Sequence, residues 1–119
     1  MSRILLVEDD STVRLLWEHV LLDAAYEVDT ADTVQGGCEL IERRDYDLVV
    51  ADGRLSDGTG MVVADRAREK GAPALIVTGY AFSLRDAGRR LTDYDWLLKP
   101  LRPSELLTAV ATALASSRN

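Results

Sequence analysis

Residues 48–60, Leu48-Val49-Val50-Ala51-Asp52-Gly53-Arg54-Leu55-Ser56-Asp57-Gly58-Thr59-Gly60, pass from a short apolar run to a lone acid and then to a polar, glycine-rich loop. An apolar run this short, closed by turn-forming residues, suits a strand buried on both faces, as in a parallel sheet covered by helices above and below. Similar short runs recur outward in both directions, at residues 4–7, 74–77 and 96–98, and the more polar 27–30 is a further strand candidate. Between them, Val13, Leu16, Trp17, Val20 and Leu21 repeat at three- and four-residue steps and predict a first helix with one wide apolar stripe, which carries Trp17 into the core. Val34, Cys38 and Ile41 predict a second helix with Cys38 as a buried thiol. Val63, Ala64 and Ala67 predict a third, and Leu106, Leu107, Val110 and Leu114 the last. A fourth is expected over residues 82–91; it has few apolar anchors, and Gly88 inside it costs about 1 kcal/mol relative to alanine, so it should be the most mobile. Strand and helix therefore alternate five times. The expected α/β fold is a doubly wound, flavodoxin-like (βα)5 unit with a five-stranded parallel sheet in the order 2-1-3-4-5.

The length of 119 residues fits a single domain spanning 1–119 with a sizeable core and no following output domain. With 47% hydrophobic and 29% charged residues and no long Pro, Gly or Ser tract, nothing in the composition suggests a linker or disorder. A net charge of −6 argues against direct nucleic-acid binding, which needs a basic surface. One cysteine excludes an intrachain disulfide. The N-terminal run reaches Glu8 too soon for a signal peptide or a spanning helix, so a cytoplasmic protein with no membrane partner is expected.

In this fold ligands gather at the C-terminal edge of the sheet, so the residues closing each strand carry the functional signal. They are Glu8-Asp9-Asp10 after the first, Asp52 after the third, Thr78-Gly79 after the fourth and Lys99-Pro100 after the fifth. Carboxylates crowded together repel one another unless protons or a cation neutralise them. An all-oxygen set with positions left for water suits Mg2+ better than Zn2+, which favours histidine or cysteine. A carboxylate beside such a metal can act as nucleophile towards a phosphoryl group, while Lys99 adds positive charge and the Thr78 hydroxyl can donate to a phosphoryl oxygen. Each part alone is weak, since acids cap helices and threonines form turns. Their placement on strands one, three, four and five gives the set its weight. Asp10 is read as a helix cap and His19, away from the acidic rim, as inert.

This set resembles the receiver domains of bacterial response regulators in two-component signalling, including the single-domain chemotaxis regulators, over residues 4–115. The resemblance implies that Glu8 and Asp9 hold Mg2+ or Mn2+ with Asp52 and the backbone carbonyl of Arg54, and that Asp52 is the phosphoacceptor. It implies that Thr78 and Lys99 contact the attached phosphoryl group, that Lys99-Pro100 is a cis peptide, and that Trp96 stands at the aromatic switch position. Arg54 and Tyr80 match the positions that govern how long the phosphoryl group survives. The implied donor is a sensor histidine kinase or a histidine phosphotransfer protein, with output through contacts to a downstream protein. The protein would then be no enzyme beyond its own phosphorylation and slow self-dephosphorylation. Three departures are visible: Ser56 replaces the family's loop proline, Trp96 its usual Tyr or Phe, and Thr92-Asp93-Tyr94-Asp95 a run of small residues.

The alternative within the same fold is a pseudo-receiver that binds partners without phosphorylation, yet Asp52, Lys99 and the acidic pair are all present. A phosphoesterase of the haloacid dehalogenase type would place its nucleophile after the first strand, with a second Asp two residues on. A flavin site would need a hydroxyl-rich loop where Glu8-Asp9-Asp10 stands.

Overall fold

The computed structural model describes residues 2–79 and 95–117. Its sheet consists of β1 (Arg3–Val7), β2 (Glu27–Ala31), β3 (Leu48–Asp52), β4 (Ala74–Thr78) and β5 (Asp95–Leu98), all parallel, in the order 2-1-3-4-5. The helices are α1 (Ser11–Asp23), α2 (Val34–Arg43), α3 (Gly60–Glu69) and, at the end of the chain, α4 (Pro103–Ser117). The helix expected over 82–91 lies outside the described residues.

Strand alternation divides the core in two. Ile4, Leu6, Leu48, Val50, Leu75 and Val77 meet Trp17 and Leu21 of α1 and Leu106 and Val110 of α4. The opposite sheet face, with Leu5, Val7, Val49 and Ala51, meets Ile41 of α2 and Val63 and Ala67 of α3. All five residues of β3 are buried, as its uninterrupted apolar run predicts for the central strand.

Two apolar side chains depart from expectation. Leu16 is 52% exposed, because the buried stripe of α1 is narrower than its leucine content suggests and only Trp17 and Leu21 are buried outright. Cys38 is half-buried rather than buried, packing at the margin of the second core, and burial raises its thiol pKa. The strand limits also shift by a residue or two, and Asp52 and Thr78 are the final residues of their strands rather than the first residues past them.

The loop after β3 is tied down without a proline. Arg54–Leu55 pairs antiparallel with Gly58–Thr59, and the Asp57 carboxylate at the turn accepts from the Val34 and Gln35 amides of α2, at 2.7 and 3.1 Å. Those two N–H groups lack intrahelical partners, so the carboxylate caps α2 from a different part of the chain, and these bonds hold its pKa below the ordinary value. Gly60 opens α3 where a Cβ would collide with the Asp52 carbonyl oxygen, and its N–H donates to Gly53 at 3.0 Å. The N-terminus of α3 can therefore sit directly against the backbone of Asp52.

Candidate functional site

Asp52 ends the central strand with its neighbours on both sides, so its carboxylate emerges at the C-terminal edge beside the residue that follows β1. Glu8 is that residue; it is fully buried, while Asp52 is 7% exposed and Asp9 lies open to solvent. The three residues offer carboxylate oxygens within 4.8 Å of one another. Backbone groups fix the frame: the Glu8 amide donates to Ala31 at 3.0 Å, the Asp10 amide to Glu8 Oε2 at 3.1 Å, and the Arg54 amide to Asp52 Oδ1 at 3.1 Å.

Lys99 enters from the far side of the sheet. Its backbone N–H continues the β5 ladder by donating to Thr78 at 2.9 Å, and its ammonium donates to Asp52 Oδ2 at 2.8 Å and to Glu8 Oε1 at 3.1 Å. The peptide from Lys99 to Pro100 is cis, as the resemblance implies. One ammonium thus bridges two buried acids. Burial pushes the Glu8 pKa up, Asp52 adds to the rise through a shared hydrogen bond and its charge, and the Asp10 amide and Lys99 oppose it, leaving Glu8 at about 7. For Lys99 burial pulls downward, but the bonds to Asp52 and Glu8 outweigh it and raise its pKa.

A buried acid pair drawing on one lysine, with an exposed third acid alongside, fits a hard divalent cation that keeps several waters. All candidate donors are oxygens, and no sulfur or imidazole belongs to the cluster.

Thr78 is fully buried at the end of β4, and among the described residues its hydroxyl makes only a long contact to the Gly79 carbonyl at 3.4 Å. Trp96 pairs in register with Ile76, and Leu98 with Thr78, so Trp96 stands on the sheet face of Thr78 and one step below it. It is half-buried and packs against the Met61, Ala64 and Ile76 cluster. Arg54 is exposed in the two-residue strand beside Asp52, and Tyr80 lies outside the described residues. Asp10 caps α1 by accepting from Thr12 and Val13 at 2.9 and 3.0 Å, and His19 is exposed on that helix. Three contributors escaped the sequence reading: Asp57, Gly60 and Trp17, whose ring centroid lies 5.5 Å from the Lys99 ammonium. A glycine directly ahead of an amphipathic run was the one usable signal, for Gly60; the other two are long-range contacts that no spacing encodes.

A family model described as the response regulator receiver domain matches residues 4–111. The transcriptional regulatory protein CusR of Escherichia coli is 34% identical over 115 residues, covering 94% of this chain and 51% of CusR. The cell cycle response regulator CtrA of Brucella ovis is 31% identical over 121 residues, covering 98% of this chain and 51% of CtrA. The chain therefore spans about half the length of these curated relatives. Among solved structures, a CheY-like response regulator receiver domain protein from Methanospirillum hungatei superposes with a TM-score of 0.90 at 30% identity, covering 99% of this chain and 97% of that one.

Proposed function

This chain belongs to the response regulator receiver domain family, and from that premise we propose that it takes a phosphoryl group onto Asp52 from a phosphohistidine donor. Receiver domains of response regulators are signalling proteins, and the convergence of Glu8, Asp9, Asp52 and Lys99 on one sheet edge is the observation that supports the chemistry. A carboxylate oxygen of Asp52 attacks phosphorus as the P–N bond to the donor imidazole breaks. The electron pair of that bond stays on the ring nitrogen, and with its other nitrogen protonated the ring departs as neutral imidazole. The product is an aspartyl phosphate.

Lys99 turns its ammonium from the Asp52 carboxylate to the incoming phosphoryl oxygens, which carry more charge. Thr78 donates its hydroxyl to another of those oxygens, for which its present long contact is a weak competitor. Glu8, Asp9 and Asp52, with the backbone carbonyl of Arg54, would hold Mg2+ or Mn2+, which would supply positive charge against that gathering at phosphorus. Movement of Thr78 towards the phosphoryl group opens space on the face where Trp96 stands, and this couples the chemistry to the surface around β5 and α4.

The donor in this reading is a sensor histidine kinase or a histidine phosphotransfer protein in the cytoplasm. The output is a contact with a downstream protein rather than direct nucleic-acid binding. Among the described residues no helix is long and apolar enough to cross a membrane. The test is incubation with acetyl phosphate and Mg2+ followed by intact mass. Wild type gains one phosphoryl group and Asp52→Asn gains none; equal labelling of the two removes Asp52 as acceptor.

A further inference from the structure

Among the described residues Lys99 has two carboxylate partners, and the proposed chemistry draws both of them to other groups. Glu8 and Asp52 are the same groups that would face a metal, and Asp52 is the one that would become esterified. Once a metal engages those acids and before a phosphoryl group arrives to replace them, an ammonium on a long, flexible stem at a site edge can turn into water, since its side chain is already 29% exposed. Among the described residues one further group faces it. The Trp17 ring lies 5.5 Å from Nζ, centroid to nitrogen, and the Trp17 side chain is held in the core between sheet, α1 and α4 at 5% exposure. That distance falls within the reach of a cation–π contact, and tryptophan offers the strongest such face.

We propose that Trp17 is a positioning residue for Lys99, keeping the ammonium at the site when Glu8 and Asp52 are drawn to other partners. The proposal rests on the phosphoacceptor reading. An indole face suits the task because it neither titrates nor ligates a hard dication, so it holds the lysine without competing for the metal. The stem is supported as well. Lys99 lines, with Val13, Leu16, Trp17, Pro100 and Leu101, a mostly apolar groove of about 480 Å³, which favours methylenes lying along its wall over a fully hydrated chain.

The experiment follows the Lys99 ε-methylene protons by NMR, with and without Mg2+, in wild type, Trp17→Phe and Trp17→Leu, and measures phosphorylation from acetyl phosphate in each. A lysine held over an aromatic face has these protons shifted upfield by the ring current. The upfield position should persist in wild type when Mg2+ is added, survive in reduced form in Trp17→Phe and vanish in Trp17→Leu. Phosphorylation of Trp17→Leu should fall roughly three- to thirtyfold, the range a cation–π contact spans, with the phenylalanine variant restoring most of the rate. Loss of the upfield position in wild type on adding Mg2+ overturns the proposal, even if Trp17→Leu does not fold. So does wild-type phosphorylation of a folded Trp17→Leu. If wild type itself takes no phosphoryl group, the phosphoacceptor reading fails, while the metal titration of the wild-type resonance still decides whether Trp17 holds the lysine.

Discussion

Without divalent metal, the protein should lose stability as pH rises from 5 to 8, opposite to the usual behaviour of a protein whose acids are paired in the fold. The cause is Glu8, fully buried and lifted from an ordinary 4.5 to about 7 by burial and by Asp52. Because its folded pKa exceeds its unfolded one, the native chain binds this proton more tightly. That contribution is complete below the unfolded value and is lost as pH climbs through the folded one. The gap is roughly 2.5 pH units at about 1.4 kcal/mol each, and about 2 to 3 kcal/mol of the total falls between pH 5 and 8. Against a typical domain stability of about 5–15 kcal/mol this is a large fraction. Asp57, whose pKa is lowered by the Val34 and Gln35 amides, acts with the opposite sign, but below its ordinary 3.8 and so outside this window. The assay is urea unfolding in EDTA at constant ionic strength, at half-unit steps of pH. Glu8→Gln should flatten the profile, and Mg2+ at pH 8 should return much of the loss to wild type. A flat or rising wild-type profile, or an unchanged fall in Glu8→Gln, would refute the reasoning.

Three further outcomes are expected. Asp9→Asn, which removes an exposed acid from the cluster, should weaken Mg2+ binding by roughly tenfold or more while leaving the metal-free protein as stable or more so, checked by calorimetric titration beside a thermal melt. Gly60→Ala drives a methyl group into the Asp52 carbonyl, so it should cost about 1–3 kcal/mol in urea and slow phosphorylation by acetyl phosphate, whereas Gly71→Ala, with nothing close to its added carbon, tests backbone strain alone. Arg54→Asn combined with Tyr80→Glu should shorten the life of the phosphorylated form by roughly tenfold, if large side chains at these positions crowd the approach of water, and decay after removal of the donor measures it.

The sheet was legible because its information is local. The three inner strands, β1, β3 and β4, are short apolar runs closed by a turn, and the middle of a parallel sheet buried on both faces tolerates little else, so Leu48–Asp52 announces a central strand unaided, whereas Glu27–Ala31 at the edge is mixed and only half-buried. The acids at the edge were legible for a related reason: strand order converts positions far apart in sequence into neighbours. What could not be read was any contact whose partner lies on another element without a topological rule to bring it there. Asp57 looks like an ordinary turn acid, yet it caps α2 across 23 residues. Trp17 declared itself as core, and so it is, but the face it turns to Lys99 depends on how α1 is rotated against β5. The same rotation leaves Leu16 exposed although its spacing matches the buried stripe. Periodicity specifies that a face exists; packing decides how wide it is.

For the divalent ion of the proposed function, the bridge from Lys99 to Glu8 and Asp52 would make the site an ion exchanger rather than a receptacle. Its counter-ion is covalently tethered, so the competitor that an incoming cation must displace is present at a fixed, high effective concentration that dilution cannot lower. A sodium or potassium ion brings no more charge than the ammonium it would evict, and gains nothing from the exchange that the lysine did not already supply. A divalent ion doubles the charge facing the acids and can engage the exposed Asp9 carboxylate along with the buried pair. Discrimination against the abundant monovalent ions of a cell would thus begin with charge, before the size of any ion or the number of its waters is tested.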